Sequence, residues 1–328
     1  MEPILFVHVP KTAGTSFRKG IDRCFGRDAS SRDYGRESVE TSPEVLKFMY
    51  DEVDHWAFMQ AFRAAERRFL VGHYPLNRYV GLFGAVRSIA FVRDPVQRVV
   101  SEYHHSVANK GYRGSLGHFY LERRHVNTQS RLLGGVPLDA IGVVGITERY
   151  ADSLRLIESG LGIRIPLLER NRARADLAQD HDLAPSLQEE IRIVNAADQE
   201  LYRRAGVIFS RRLEALERGE PYVRGEISEV RNGRLIGWAV REGDEAPVSL
   251  EVSVAGETLG TTVAREYRWL LKALGLGRGG YIGFSIPLPE GTGGKRVTCR
   301  VAGSGQPLSN SPWPLPEWEG GGVHGPQR

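Results

Sequence analysis

Ile4-Leu5-Phe6-Val7-His8-Val9-Pro10-Lys11-Thr12-Ala13-Gly14-Thr15-Ser16 is the stretch from which the fold can be read. Ile4 to Val9 is a short apolar run of branched and aromatic side chains, the composition of a strand buried on both faces. It breaks at Pro10 and restarts at Thr15 and Ser16, which suit the N-cap of a helix over Phe17 to Cys24. Strand, tight loop and helix start form a phosphate-binding geometry, because N–H groups at a helix N-terminus face outward and the helix dipole favours an anion there. Lys11 adds positive charge, Gly14 allows close approach of the backbone, and Thr15 and Ser16 supply hydroxyl donors.

A second stretch, Ser88-Ile89-Ala90-Phe91-Val92-Arg93-Asp94-Pro95, reads as another buried strand running into a helix. Asp94 suits the N-cap and Pro95 the first helical position, where a missing N–H costs nothing. Val96, Val99, Val100, Tyr103 and Val107 then mark an inner helix face. Ser101 lies seven residues, about two turns, beyond Asp94 on the same side of that helix. Arg93 at the strand tip and Ser101 can therefore converge on one anion. Between the two stretches, Arg68 to Pro75 reads as a strand ending in Gly72-His73-Tyr74-Pro75, and reactive groups collect at strand carboxyl ends in parallel α/β sheets.

The loop lacks the G-x-x-x-x-G-K-[ST] order of ATP and GTP hydrolases, since its lysine precedes the glycine. Val9 to Ser16 instead resembles the 5′-phosphosulfate loop of sulfotransferases that use 3′-phosphoadenosine 5′-phosphosulfate (PAPS). It is most similar to the carbohydrate branch that includes the heparan sulfate 2-O-sulfotransferases, in a bacterial form. Arg93 to Tyr103 resembles the 3′-phosphate motif of the same family, with arginine and serine at its spacing. The resemblance covers residues 1 to about 215. It implies PAPS as donor, bound by Lys11, Thr12, Ala13, Gly14, Thr15, Ser16, Arg93 and Ser101, and a glycan or glycoconjugate hydroxyl as acceptor, with no metal. It also implies that His73 is the base that deprotonates the acceptor, with Lys11 sharing in catalysis. The 2-O pattern carries a second histidine just ahead of the glycine, where this chain has Val71. Asn127 to Gly135 resembles a segment that follows the 3′-phosphate helix in bacterial relatives, with no role assigned to its polar residues.

With 328 residues, 41% of them hydrophobic, the chain can support two cores. A net charge of +4 hides arginine clusters at Arg67-Arg68, Arg123-Arg124, Arg170/Arg172/Arg174 and Arg211-Arg212. Arginine suits phosphate, sulfate and carboxylate. No basic run is interleaved with aromatics, so nucleic acid is not expected as a partner. Cys24 and Cys299 give neither a disulfide framework nor metal-site spacing, which fits a reducing compartment. No apolar run reaches the ~20 residues that span a bilayer and no leader is expected, so the reading is a bacterial cytoplasmic enzyme, with peripheral membrane contact left open.

The expected fold is an α/β three-layer sandwich with a parallel sheet and a phosphate-binding loop, like that of nucleoside-triphosphate hydrolases, over residues 1–217. Residues 218–224 form a linker, 225–316 a small all-β sandwich resembling modules attached to bacterial glycan-modifying transferases, and 317–328 a disordered tail. Within the first domain, Gly26 to Ser42 reads as a mobile loop, Pro43 to Arg67 and Leu187 to Leu216 as helical stretches, and Lys110 to Glu122 as a loop that could cover the acceptor. Ile141 to Thr147 reads as a further strand, and His104 and His105 as peripheral. In the second, Asn232-Gly233 marks a hairpin, and Trp238, Trp269 and Tyr281 either stack on sugar rings or fill the core. Two other functions compete with sulfuryl transfer: a nucleotide-dependent kinase-like activity, and glycan binding by a protein whose donor site is a relic. The identity of the acceptor lies outside the sequence.

Overall fold

The computed structural model describes residues 2–167 and 183–317. Arg170, Arg172 and Arg174 and the expected tail from 318 onward lie outside them. The chain divides into two compact units, one of Met1–Glu220 with Ala273–Leu276, the other of Pro221–Lys272 with Gly277–Arg328.

In the first unit, β1 (Ile4–Val7) leads through the loop into α1 (Gly14–Phe25), followed by β2 (Ser30–Asp33), α2 (His55–Ala64), β3 (Phe69–Gly72) and β4 (Ser88–Val92). Then come α3 (Pro95–Lys110), α4 (Leu116–Leu121), α5 (Thr128–Leu133), β5 (Val143–Ile146), α6 (Tyr150–Leu161), α7 (Pro185–Val194) and α8 (Ala196–Arg218). The five strands form one parallel sheet in the order β2-β3-β1-β4-β5. Every residue of these strands is buried, so both faces are covered, as a parallel sheet requires. From β1 the chain crosses toward β2 and β3, and from β4 toward β5. The switch in direction falls between β1 and β4, where such sheets open a crevice at their carboxyl edge.

Several elements depart from the sequence reading. The segment read as a mobile loop, Gly26 to Ser42, contains β2, whose Ser-Ser-Arg-Asp sequence carries no apolar signal. Its buried polar groups are partnered instead: Ser31 Oγ donates to Glu44 at 2.5 Å, and Arg32 binds both oxygens of Asp22 at 2.9 and 3.0 Å. Helix α1 begins at Gly14, with left-handed Ala13 as its N-cap (φ 66°), because the Ala13 carbonyl accepts from Ser16 and Phe17 N–H. Thr15 and Ser16 thus sit in the first turn and are not the cap. The stretch Leu187 to Leu216 is broken at Asn195, whose side chain serves another helix. Lys110 to Glu122 is not wholly loop: α4 is capped by Ser115 and buries Phe119 and Tyr120 against Val96, Val99 and Val100 of α3. Val107, assigned to the inner face, is exposed.

The second unit holds two antiparallel four-stranded sheets, ordered β10-β11-β7-β6 and β13-β12-β8-β9. These strands span Val223–Arg231 (β6), Arg234–Arg241 (β7), Val248–Val254 (β8), Glu257–Ala264 (β9), Glu266–Tyr267 (β10), Tyr281–Pro287 (β11), Arg296–Val301 (β12) and Trp313–Pro314 (β13). Alternate residues such as Ile227, Leu235, Val248, Leu250, Val252, Phe284 and Cys299 meet in a shared core. Asn232 and Gly233, both at positive φ (52° and 66°), turn β6 into β7 as the dipeptide predicts. Trp238 is 1% exposed and fills the core, whereas Trp269 and Tyr281 are exposed.

Candidate active site

The carboxyl ends of all five strands carry polar residues, and those after β1, β2, β3 and β4 interlock. The loop after β1 holds Lys11 and Ala13 in the left-handed region, each at φ 66°, where non-glycine residues are uncommon. Such backbone costs on the order of 1–3 kcal/mol per residue and is concentrated at ligand clamps. The Thr12 hydroxyl is buried and donates to Val9 O at 2.9 Å, closing the turn. The Ser16 N–H is committed to Ala13 O at 2.9 Å. These two donors are spent inside the loop. The N–H groups of Gly14 and Thr15, in the first turn of α1, have no intrahelical acceptor. Thr15 is exposed and Ser16 half-buried, so their hydroxyls remain at the helix mouth.

Across the β1/β4 switch stands Arg93, 5% exposed, whose Nη1 donates to Lys11 O at 3.5 Å. Its backbone is gripped by Gln129: Oε1 accepts from Arg93 N–H and Nε2 donates to Arg93 O, both at 2.9 Å. Gln129 is held in turn by Asp198, whose carboxylate accepts from Gln129 N (3.1 Å), Ser130 N (2.7 Å) and Ser130 Oγ (2.7 Å). Asn127 N donates to Asn195, and Asn127 Oδ1 accepts from Asp198 N. The starts of α5 and α8 therefore cap each other. The Asn127–Gly135 segment, left without a role by sequence, is a brace for Arg93. Asp94 caps α3 as expected, accepting from Gln97 N at 3.0 Å. Ser101 is half-buried on the same helix, two turns on.

His73 follows β3, an exposed residue with the His8 and Tyr34 rings packed beside its own. Its Nδ1 lies 2.5 Å from His8 O. A carbonyl only accepts, so Nδ1 carries the proton and Nε2 presents its lone pair. The His8 ring stands 4.6 Å away and the Tyr34 ring 4.8 Å, edge-on at 88°. Crowding by these rings removes water and lowers the His73 pKa, against the raising pull of the His8 carbonyl and Glu102. Sequence reading missed both His8 and Tyr34. His8 was legible only as a polar interruption of an apolar strand, and Tyr34 follows the polar strand read as loop. His8 is 6% exposed and its Nδ1 is hydrogen-bonded to the Tyr34 hydroxyl at 3.1 Å. Burial, then His73, Arg18 and Lys11, push its pKa down to about 3. A second histidine thus stands beside His73 although Val71 occupies the place where the 2-O pattern has one; it is the residue that follows β1.

Helix α3 closes the other flank. Glu102 is buried and binds Lys110 Nζ at 2.9 Å. Burial pushes its carboxyl up, but Lys110, Arg98 and Lys11 outweigh that and hold it below the usual range. His104 is exposed and His105 half-buried. Asp33, ending β2, accepts from Tyr50 and Tyr79 hydroxyls at 2.7 and 2.8 Å. Among the described residues no group of three or more His, Cys, Asp or Glu could hold a metal ion, and no helix is long and apolar enough to cross a membrane.

Comparison with known proteins agrees with the motif reading at the level of the broad family. A model of the sulfotransferase family matches residues 1–135, the segment holding the loop after β1, His73, Arg93 and Gln129. The crystal structure of a sulfotransferase from Alicyclobacillus acidocaldarius is 17% identical, with a TM-score of 0.33, over 66% of this chain and 96% of that one. No curated protein matches.

Proposed function

We propose that this protein transfers a sulfuryl group from PAPS to a hydroxyl of a glycan or glycoconjugate. The observation that carries the reading is the meeting of Lys11 and Arg93 across the β1/β4 switch, beside a histidine whose Nε2 is free to accept a proton. The donor set suits a ligand with two separated phosphate-type groups: one ammonium, one guanidinium, first-turn N–H groups and the hydroxyls of Thr15, Ser16 and Ser101. PAPS, when bound, would supply the sulfuryl group, and 3′,5′-adenosine bisphosphate would leave.

Lys11 and the amides of Gly14 and Thr15 hold negative charge at the mouth of α1. Arg93 and Ser101 set the position of the 3′-phosphate. His73 takes the acceptor proton at Nε2, with its other nitrogen fixed by the His8 carbonyl. The second unit serves as an accessory module in this proposal, and the free thiols of Cys24 and Cys299 fit a cytoplasmic setting. Calorimetry tests the donor site. Binding of 3′,5′-adenosine bisphosphate should exceed that of ATP, and Arg93→Ala should cost about 1.5–3 kcal/mol of it. Equal affinity for the two nucleotides would overturn the reading in favour of a kinase-like enzyme. Radiolabelled donor incubated with acceptor pools then identifies what is sulfated.

A further inference from the structure

The His8 ring occupies the space between the loop and the base. A Cβ built on Gly14 would lie 2.0 Å from His8 Cδ2 and 2.6 Å from Nε2, so the ring is seated directly on the loop glycine. Its other neighbours are the His73 ring at 4.6 Å and, stacked within 13°, the Phe6 ring at 5.7 Å. The Tyr34 hydroxyl holds its Nδ1 at 3.1 Å and the Tyr34 ring meets it edge-on at 5.9 Å. Its backbone is also fixed, with N–H donating to Gly72 O at 2.8 Å and O accepting from His73 Nδ1. A side chain bounded by Gly14, Phe6, Tyr34 and His73 has one place to sit.

We propose that His8 is a positioning residue, a rigid spacer that sets the distance between the phosphate loop at Gly14 and the Nε2 of His73. The proposal rests on reading His73 as the base. In-line transfer needs the acceptor oxygen aligned with the group bound at the loop, and a misplacement of about 1 Å can cost ~10²-fold in rate. The ring suits this task because it stays neutral: a charged imidazole there would repel both Lys11 and a protonated His73. It also shields one side of His73 from water. The charged groups in reach of His73 are Glu102, Lys110 and Glu40; those in reach of His8 are Arg18 and Lys11.

Three substitutions in the full chain separate the spacer from other roles. His8→Phe keeps a ring on Gly14, His8→Ala removes it, and His8→Asn shortens it while keeping a polar group for Tyr34 should the alanine variant not fold. Two readouts are followed: kcat and KM on an identified acceptor, and NMR titration of the His73 ring. His8→Ala should lower kcat by 10- to 100-fold, change affinity for 3′,5′-adenosine bisphosphate less than threefold, and raise the His73 pKa as water enters. His8→Phe should restore most of kcat and the low pKa. Unchanged kcat and His73 titration in the alanine variant would overturn the proposal. So would a phenylalanine variant as impaired as the alanine one. Failure of the unaltered protein to bind the bisphosphate would instead defeat the sulfuryl-transfer reading, while the His73 titration would still decide whether His8 shields and holds that ring.

Discussion

Gln129 holds both the N–H and the C=O of Arg93 with a single side-chain amide, each bond 2.9 Å long, in a site where Gln129 is fully buried. A side-chain amide reads a peptide unit as another strand would, so the tip of β4 is fixed at the point where its guanidinium turns toward Lys11.

Gln129→Leu should therefore leave two buried backbone groups unsatisfied, at ~1–3 kcal/mol each if neither finds water. Urea unfolding should show a loss of that order, and calorimetry a parallel loss of bisphosphate affinity, although residue 129 is assigned no contact with the ligand. Full nucleotide affinity in a destabilised variant would show that the brace serves the fold alone.

Gly14→Ala places a methyl group where the His8 ring sits. The single variant should lose donor binding and turnover together, because either the loop or the ring must move. Combined with His8→Ala, the same substitution should cost much less than the sum of the two, since contacting residues share one packing term. Additive losses would mean that the contact between the glycine and the ring is not what makes the glycine necessary.

Acidification should destabilise the protein through His8. Its pKa is about 3 in the folded chain against an ordinary 6.5. Between those values the unfolded chain binds a proton that the folded chain refuses, so stability rises with pH and is lost as pH falls below 6.5. The slope from this group approaches ~1.4 kcal/mol per pH unit. Denaturation followed from pH 7 down to pH 4 should show that decline, and His8→Phe should flatten it. An equal slope in both proteins would place the acid sensitivity elsewhere.

The pair Glu102–Lys110 should tune the base in opposite directions. The carboxylate raises the His73 pKa and the ammonium lowers it. With His73 as the proposed base, neutral imidazole is the active form, so kcat/KM should fall as pH drops through the His73 pKa. Lys110→Met should move that acid limb to higher pH and Glu102→Gln to lower pH, by less than about one unit each, with the shifts shrinking in salt. Movement in the same direction would indicate a repacked helix end rather than a change of charge.

The residues proposed to hold the donor were legible because their chemistry is local. Lys11 and Gly14 sit on one turn, and Arg93, Asp94 and Ser101 on one strand tip and the helix it feeds. The neighbours that orient them were not. His8 reaches His73 only through the parallel pairing of β1 with β3, and Gln129 reaches Arg93 only because α5 docks beside β4. Ser30 to Asp33 escaped notice for a different reason: its strand is stabilised by hydrogen bonds and ion pairs, which leave no periodic apolar trace. The break at Asn195 was hidden because its side-chain oxygen accepts from Asn127 N at the start of α5, a helix distant in sequence, while its amide nitrogen donates back to Ile191 O.

The central place of β1 also bears on how the protein is made. Its two partners, β3 and β4, pair with Ile4 and Leu5 through Phe69 and Ser88. At ~5–20 residues per second, the ribosome delivers those partners on the order of ten seconds after β1 has emerged. Through that interval the most apolar strand of the sheet has nothing to pair with, and a nascent chain is most exposed to aggregation then. The proposed donor site needs both the loop after β1 and the tip of β4, so its two halves meet only once β4 has paired with β1.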